Sequence, residues 1–246
     1  MMKRLLVLIS FCALMSGASA QEYVFHKGML KMPYREKAYG NPQNGKSMLV
    51  VYLHPKQARG HKNETQTKTA GYKSIDHYLD SVKANAVLLA PQCEEARHWN
   101  EYSSPVGKFF SDVVWGFIED YANHHNIDKN RIYVLGESFG GSGVWRLVTD
   151  YPGYFAAAMP AVCSPKLSKL ERFVKLNKAA KTPLCVVVGE RDQVYDPSVM
   201  APHIEKLTKE KCNLKYIILP GLNHQQACLG AYTNEALDWL FGNKRQ

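Results

Sequence analysis

The chain is short of acid: 22 Asp and Glu face 31 Lys and Arg, giving a formal charge of +9 over 246 residues. The basic residues are scattered rather than gathered into a run, which describes a solvated basic surface and argues against nucleic acid as a partner. Cysteine is scarce, with six in all, and no C-x-x-C pair or His-rich spacing is present, so no metal site is expected. Repeats, low-complexity tracts and any signature of assembly state are lacking as well. No apolar run is long enough to span a bilayer. The longest, Leu5 to Met15, follows Lys3 and Arg4 and precedes Ala18-Ser19-Ala20, the pattern of a secretory signal peptide over residues 1–20. Cys12 follows the bulky Phe11, which excludes lipid attachment there. The expectation is a secreted or periplasmic chain without a stable membrane anchor. Removing 20 residues from 246 leaves 226, enough for a single domain over 21–246 with one large core. The five remaining cysteines (Cys93, Cys163, Cys185, Cys212 and Cys228) are odd in number, so at least one lacks an intramolecular partner.

What is present is a regular alternation. Short apolar runs at Met48–Leu53, Ala86–Ala90, Arg131–Leu135, Phe155–Met159, Leu184–Val188 and Tyr216–Leu219 read as strands buried on both faces of a parallel sheet. Helices are expected between them. The clearest is the stripe Val106, Phe109, Phe110, Val113, Val114, Phe117, Ile118 and Tyr121, with others over 141–149, 198–210 and 234–241. This is a mostly parallel, doubly wound α/β sheet with helices on both faces. Residues 21–46 read as an edge hairpin. The polar stretch from His54 to Ser81 reads as a surface loop near the site, and its sequon Asn63-Glu64-Thr65 is assigned no role.

Gly136-Glu137-Ser138-Phe139-Gly140 follows one of these strands and opens a helix, the context required of a G-x-S-x-G nucleophile elbow. The glycines remove side chains that would collide in so sharp a turn, leaving the Ser138 oxygen exposed. A serine hydroxyl is a poor nucleophile at neutral pH and needs a base, which in turn needs an orienting acid. On this architecture they follow in the order Ser, Asp or Glu, His, from loops at the carboxyl ends of later strands. Glu190-Arg191-Asp192 and Leu222-Asn223-His224 occupy such loops. His224 is the expected base and Asp192 the expected acid, ahead of Asp196 and Glu190. His54 ends its own strand but precedes the serine. An oxyanion would be held by the N–H of Phe139 and by a second donor from the loop after Met48–Leu53. Pro55 has no N–H, so Lys56 or Gln57 must supply it. His98, Trp99 and Tyr102, just past the strand end at Pro91-Gln92-Cys93, are expected to form one wall of the substrate site.

With these motifs, the segments Met32–Arg35, Leu89–Cys93, Ile127-Asp128, Asn130–Tyr133, Gly136–Trp145, Phe155–Ala158, Ala231-Tyr232 and Asp238–Leu240 make the chain resemble an α/β-hydrolase. The group is that of phospholipase/carboxylesterases, carbohydrate esterases and prolyl-oligopeptidase-like proteins. The resemblance covers nearly all of residues 21–246. It implies a serine hydrolase that forms an acyl-enzyme on Ser138 without a cofactor, acting on small-molecule or polysaccharide-linked esters such as acetyl or hydroxycinnamoyl esters. About twenty residues separate Cys163 from Pro183, where many relatives insert a helical cap, so an open site without a large cap domain is expected. The chain departs from the family at His54-Pro55, where His-Gly is usual. Two alternatives follow, a serine peptidase of prolyl-oligopeptidase-like type and a non-catalytic carbohydrate-binding relative.

Overall fold

The computed structural model describes residues 21–27, 30–41, 45–103, 108–165 and 175–245. Residues 1–20, expected to be a signal peptide, therefore lie outside the described residues. An eight-stranded sheet runs through the molecule: β1 (Gln21–Lys27), β2 (Leu30–Tyr39), β3 (Ser47–Leu53), β4 (Ala86–Pro91), β7 (Ile127–Glu137), β8 (Ala157–Ala161), β9 (Leu184–Gly189) and β10 (Leu214–Leu219). A two-residue ribbon, β5 (Tyr102–Ser103) with β6 (Lys108–Phe109), stands apart. The order is β1-β2-β4-β3-β7-β8-β9-β10. The β1–β2 hairpin is antiparallel and β2 joins β4 antiparallel, whereas β4, β3, β7, β8, β9 and β10 are mutually parallel.

The central strands are apolar on both sides because both faces are covered. Alternate side chains of β3 divide the core: Leu49, Val51 and Leu53 face α2 (Phe110–His124), α3 (Phe139–Asp150) and α4 (Pro197–Lys209). Val50 and Tyr52 face α1 (Ala70–Ser81), α5 (His224–Gly230) and α6 (Asn234–Gly242). This is the α/β-hydrolase architecture expected from the sequence.

Two local expectations are corrected, and the sequon left without a role acquires a structural one. The stretch from His54 to Ser81 is not all loop, because its second half is α1. Thr69 caps that helix by accepting the Tyr72 N–H, and Tyr72, Ile75, Tyr78 and Leu79 fall on one buried face. The polar run before them obscured that spacing. The second helix begins at Phe110 rather than Val106: Phe109 is in β6, and Val106 lies outside the described residues. Asn63 of the sequon is fully buried, has a φ of 55° and gives its side-chain N–H to the Tyr34 carbonyl, so it acts as a structural turn residue.

Candidate active site

Ser138 stands between β7 and α3 with φ 54° and ψ −114°, a backbone state that costs a non-glycine residue on the order of 1–3 kcal/mol. The surrounding packing enforces it. The Ser138 N–H is tied to the Ala161 carbonyl of β8 (3.0 Å), and a Cβ on Gly140 would lie 1.8 Å from the Leu53 carbonyl oxygen. Only glycine lets α3 begin this close to the end of β3. Directly behind the elbow, Val162 also has a positive φ of 52° although it is β-branched and fully buried.

The Ser138 hydroxyl lies 3.0 Å from His224 Nε2, and His224 Nδ1 lies 2.8 Å from Asp192 Oδ2. His224 is the first residue of α5, placed there by an Asn223–Gln226 capping box, so a helix start rather than a free loop holds the imidazole. The Asp192 side chain is fully buried, and its other oxygen accepts the N–H groups of Val194 and Tyr195, each at 2.8 Å. The carboxylate is therefore fixed in rotation, with one oxygen reserved for Nδ1–H and the unprotonated Nε2 aimed at the serine. The rival acids serve elsewhere: Asp196 caps α4 through the Ser198 N–H, and Glu190 accepts the Gly221 N–H in the turn that delivers His224.

His54 has a different environment. Its Nδ1–H donates to the Pro55 carbonyl (2.8 Å) and its Nε2 accepts the Cys93 N–H (2.9 Å). Burial lowers its pKa to about 4, so it is a neutral tie between two strand ends rather than a base. Pro55 opens a short 3₁₀ turn over Lys56–Ala58, in which Lys56 and Gln57 are exposed. As the first residues of a helical turn, Lys56, Gln57 and, at the start of α3, Phe139 present N–H groups that have no carbonyl behind them in their own turn. Gln57 lines a cavity of about 290 Å³ that it shares with Pro55, Ala58, Thr69, Glu137 and Cys228.

Of the expected wall, His98 is exposed with its ring 5.2 Å from that of Phe139. Trp99 does not line the surface. It is 1% exposed, donates its indole N–H to the His54 carbonyl (3.1 Å) and packs against Phe110, so it supports Phe139 and His54 from behind. Tyr102 pairs with Phe109 in the small ribbon.

Sequence reasoning missed Glu137, a carboxyl buried one residue before the serine. Its two oxygens each accept a tyrosine hydroxyl at 2.7 Å, from Tyr52 and Tyr232. It also missed Cys228, whose sulfur is 3.9 Å from His224 Nε2. The signal for Cys228 was its position four residues after His224, one helical turn. Cys93, Cys163, Cys185, Cys212 and Cys228 form no disulfide among the described residues, and among the described residues no cluster of His, Cys, Asp and Glu could hold a metal.

No family model matches the chain, and no curated protein matches it in sequence. Solved structures do match it. A thermostable esterase is 25% identical with a TM-score of 0.74, over 92% of this chain and 63% of the other. A chain named as a dipeptidyl aminopeptidase IV from Bacteroides ovatus is 17% identical with a TM-score of 0.63, over 91% and 35%. The chain thus spans less than two thirds of the length of either. A feruloyl esterase module from Clostridium thermocellum, complexed with sinapinate, is 14% identical with a TM-score of 0.67, over 92% and 88%. All three share the α/β-hydrolase fold described above.

Proposed function

We infer that this α/β-hydrolase is a serine hydrolase of carboxylic esters. The observation that carries the reading is the hydrogen-bond chain from the Ser138 hydroxyl through His224 to a rotationally fixed Asp192. His224 Nε2 takes the Ser138 proton as the oxygen attacks the ester carbonyl, and Asp192 stabilises the resulting imidazolium. The N–H of Phe139, with that of Lys56 or Gln57, receives the oxyanion. The imidazolium then returns its proton to the departing alcohol, leaving an acyl group on Ser138. A water, deprotonated by His224, attacks that acyl group and releases the acid, and the proton goes back to Ser138. No step calls for a cofactor.

Acyl esters of carbohydrate, acetyl or hydroxycinnamoyl, are the proposed substrates. The exposed Lys56–Gln57 turn and the His98 rim leave room for a bulky alcohol, and feruloyl esterases are among the structures that share the fold. Secretion is part of the proposal, supported by the basic, apolar and small-residue order of residues 1–20. The test is covalent labelling by a fluorophosphonate, followed by turnover of 4-nitrophenyl acetate and methyl ferulate, in the parent, Ser138→Ala and His224→Ala. Labelling and turnover in the parent alone support the reading. A folded parent that is not labelled overturns it in favour of a binding protein. Cleavage of a dipeptide anilide by the parent and not by Ser138→Ala would favour the peptidase reading, which shares this fold with the aminopeptidase-like chain.

A further inference from the structure

Glu137 has no place in the reaction just described, yet it occupies an unusual position. It is 2% exposed, immediately precedes the nucleophile, and forms no ion pair among the described residues. A carboxyl buried without a cation is costly unless its oxygens are well satisfied. Here three segments converge on it. Tyr52 reaches it from the end of β3, two residues before the His54-Pro55 loop. Tyr232 reaches it from the segment after α5, the helix that carries His224. Thr69, the cap of α1, bonds the Tyr52 hydroxyl at 2.7 Å. The first turn of α1 comes so close that a Cβ on Gly71 would be 2.8 Å from both carboxyl oxygens. Of the titratable groups around it, Tyr52 and Tyr232 are held protonated by burial, and the half-buried thiol of Cys228 is likewise pushed up, to about 12. Lys68, on the same cavity wall, is paired with Glu64 at the surface.

The proton count gives this knot two arrangements. An ionised Glu137 accepts from both tyrosines, so the single Tyr52 hydroxyl proton is committed and Thr69 must donate to Tyr52 in place of the Gln66 carbonyl that lies 3.1 Å from its hydroxyl. A protonated Glu137 donates to one tyrosine, whose own proton must turn elsewhere. For Tyr52 that alternative exists, because its bond with Thr69 can run in either direction. Resting on the serine-hydrolase reading, we propose that Glu137 is a positioning residue. As a carboxylate it ties the oxyanion strand, the α1 cap and the His224 segment to the nucleophile elbow, and its protonation loosens that tie and slows acyl transfer. Burial raises the carboxyl to about 7, against the pull of its two tyrosine bonds, so the change falls where the enzyme would work.

The test compares the parent with Glu137→Gln, which keeps the shape and one acceptor but cannot ionise, on 4-nitrophenyl acetate from pH 5.5 to 8.5. Above pH 8 the variant is expected to lose about tenfold in kcat with KM within about twofold, the loss of one charge-assisted tie. Below pH 6, where the parent carboxyl is itself protonated, the two rates should converge. A rate ratio that is the same at every pH, or no loss at pH 8, overturns the proposal. Tyr232→Phe removes one tie and leaves the carboxyl in place. It should lose less rate than Glu137→Gln at pH 8 and keep the parent's pH dependence, and a flat profile in this variant would also overturn the assignment to Glu137. A parent that neither turns over nor takes up the fluorophosphonate brings down the hydrolase reading and this proposal with it. A labelled parent with unaltered variants brings down this proposal alone.

Discussion

Asp192→Asn offers a test in which the magnitude can be worked from hydrogen bonds alone. The carboxylate uses one oxygen for two backbone donors, Val194 and Tyr195, and the other for His224 Nδ1–H. An asparagine has one oxygen and must choose. With its oxygen on the backbone pair, its NH₂ faces Nδ1, which must then accept. The imidazole proton moves to Nε2, and His224 becomes a donor to Ser138 instead of a base. With the oxygen on Nδ1–H, the productive tautomer survives, but the buried Tyr195 N–H and the part-buried Val194 N–H confront the NH₂. At roughly 1–3 kcal/mol for each group left unsatisfied, that arrangement lies about 2–6 kcal/mol higher. The fraction of competent protein, and with it the acylation rate, should fall by about 30-fold to 3 × 10⁴-fold. The assay is the second-order rate of fluorophosphonate labelling at pH 8, with a thermal melt confirming that the variant is folded. A folded variant labelled within about threefold of the parent would refute the role given to Asp192, because no orientation of the amide satisfies all three donors.

Gly140→Ala should be destabilised by about 3 kcal/mol and lose labelling in a urea titration followed by probe uptake, since its Cβ would strike the Leu53 carbonyl. Gly242→Ala, with nothing within 4 Å of its Cβ, should stay within about 0.5 kcal/mol of the parent and serves as the control. The acid window should show two opposing slopes. Glu137, raised from 4.5 to about 7 when folded, adds stability that is full below pH 4.5 and lost as pH rises to about 7. His54, lowered from 6.5 to about 4, adds stability that is full above pH 6.5 and lost as pH falls to about 4. Each amounts to about 3 kcal/mol, so the parent should be nearly flat between pH 4.5 and 6.5. Glu137→Gln should instead gain stability with rising pH across that window, measured by urea unfolding at both ends, and parallel curves would count against both assignments. His54→Ala should lose about 2–3 kcal/mol by urea unfolding, because the Cys93 N–H is left buried without an acceptor.

Much of the sheet was legible because a strand covered on both faces must be apolar throughout, and β3, β4, β8 and β9 carry that mark plainly. β10 is shorter in its apolar run than in its pairing, since Leu214 and Lys215 lie at the half-buried edge where pattern is weak. α1 was hidden because its buried residues alternate with Lys73, Asp76 and His77 and follow a long polar segment. For the candidate site, chain order singled out Ser138, Asp192 and His224, because each sits where a strand ends. Trp99 could not be placed the same way. An aromatic beside a strand end can face solvent or the core, and here the close approach of Gly143 draws it inward. Glu137 was invisible for a different reason: its partners Tyr52 and Tyr232 lie 85 and 95 residues away, and no local pattern records such pairings.

The 86 residues between Ser138 and His224 also set an order in time. A chain made from its amino end completes β7 and the elbow well before β10 and α5 exist. At 5–20 residues per second, the Ser138 hydroxyl waits about 4–17 s for the imidazole that is its hydrogen-bond partner. Through that interval it is an ordinary alcohol at the tip of a bent strand. Among the described residues β10 is the outermost strand on its side of the sheet and pairs with β9, and His224 follows it by a few residues. The Ser138–His224 contact is therefore a late acquisition during synthesis. It is also the first that fraying at that edge would take away, while the rest of the sheet stays intact.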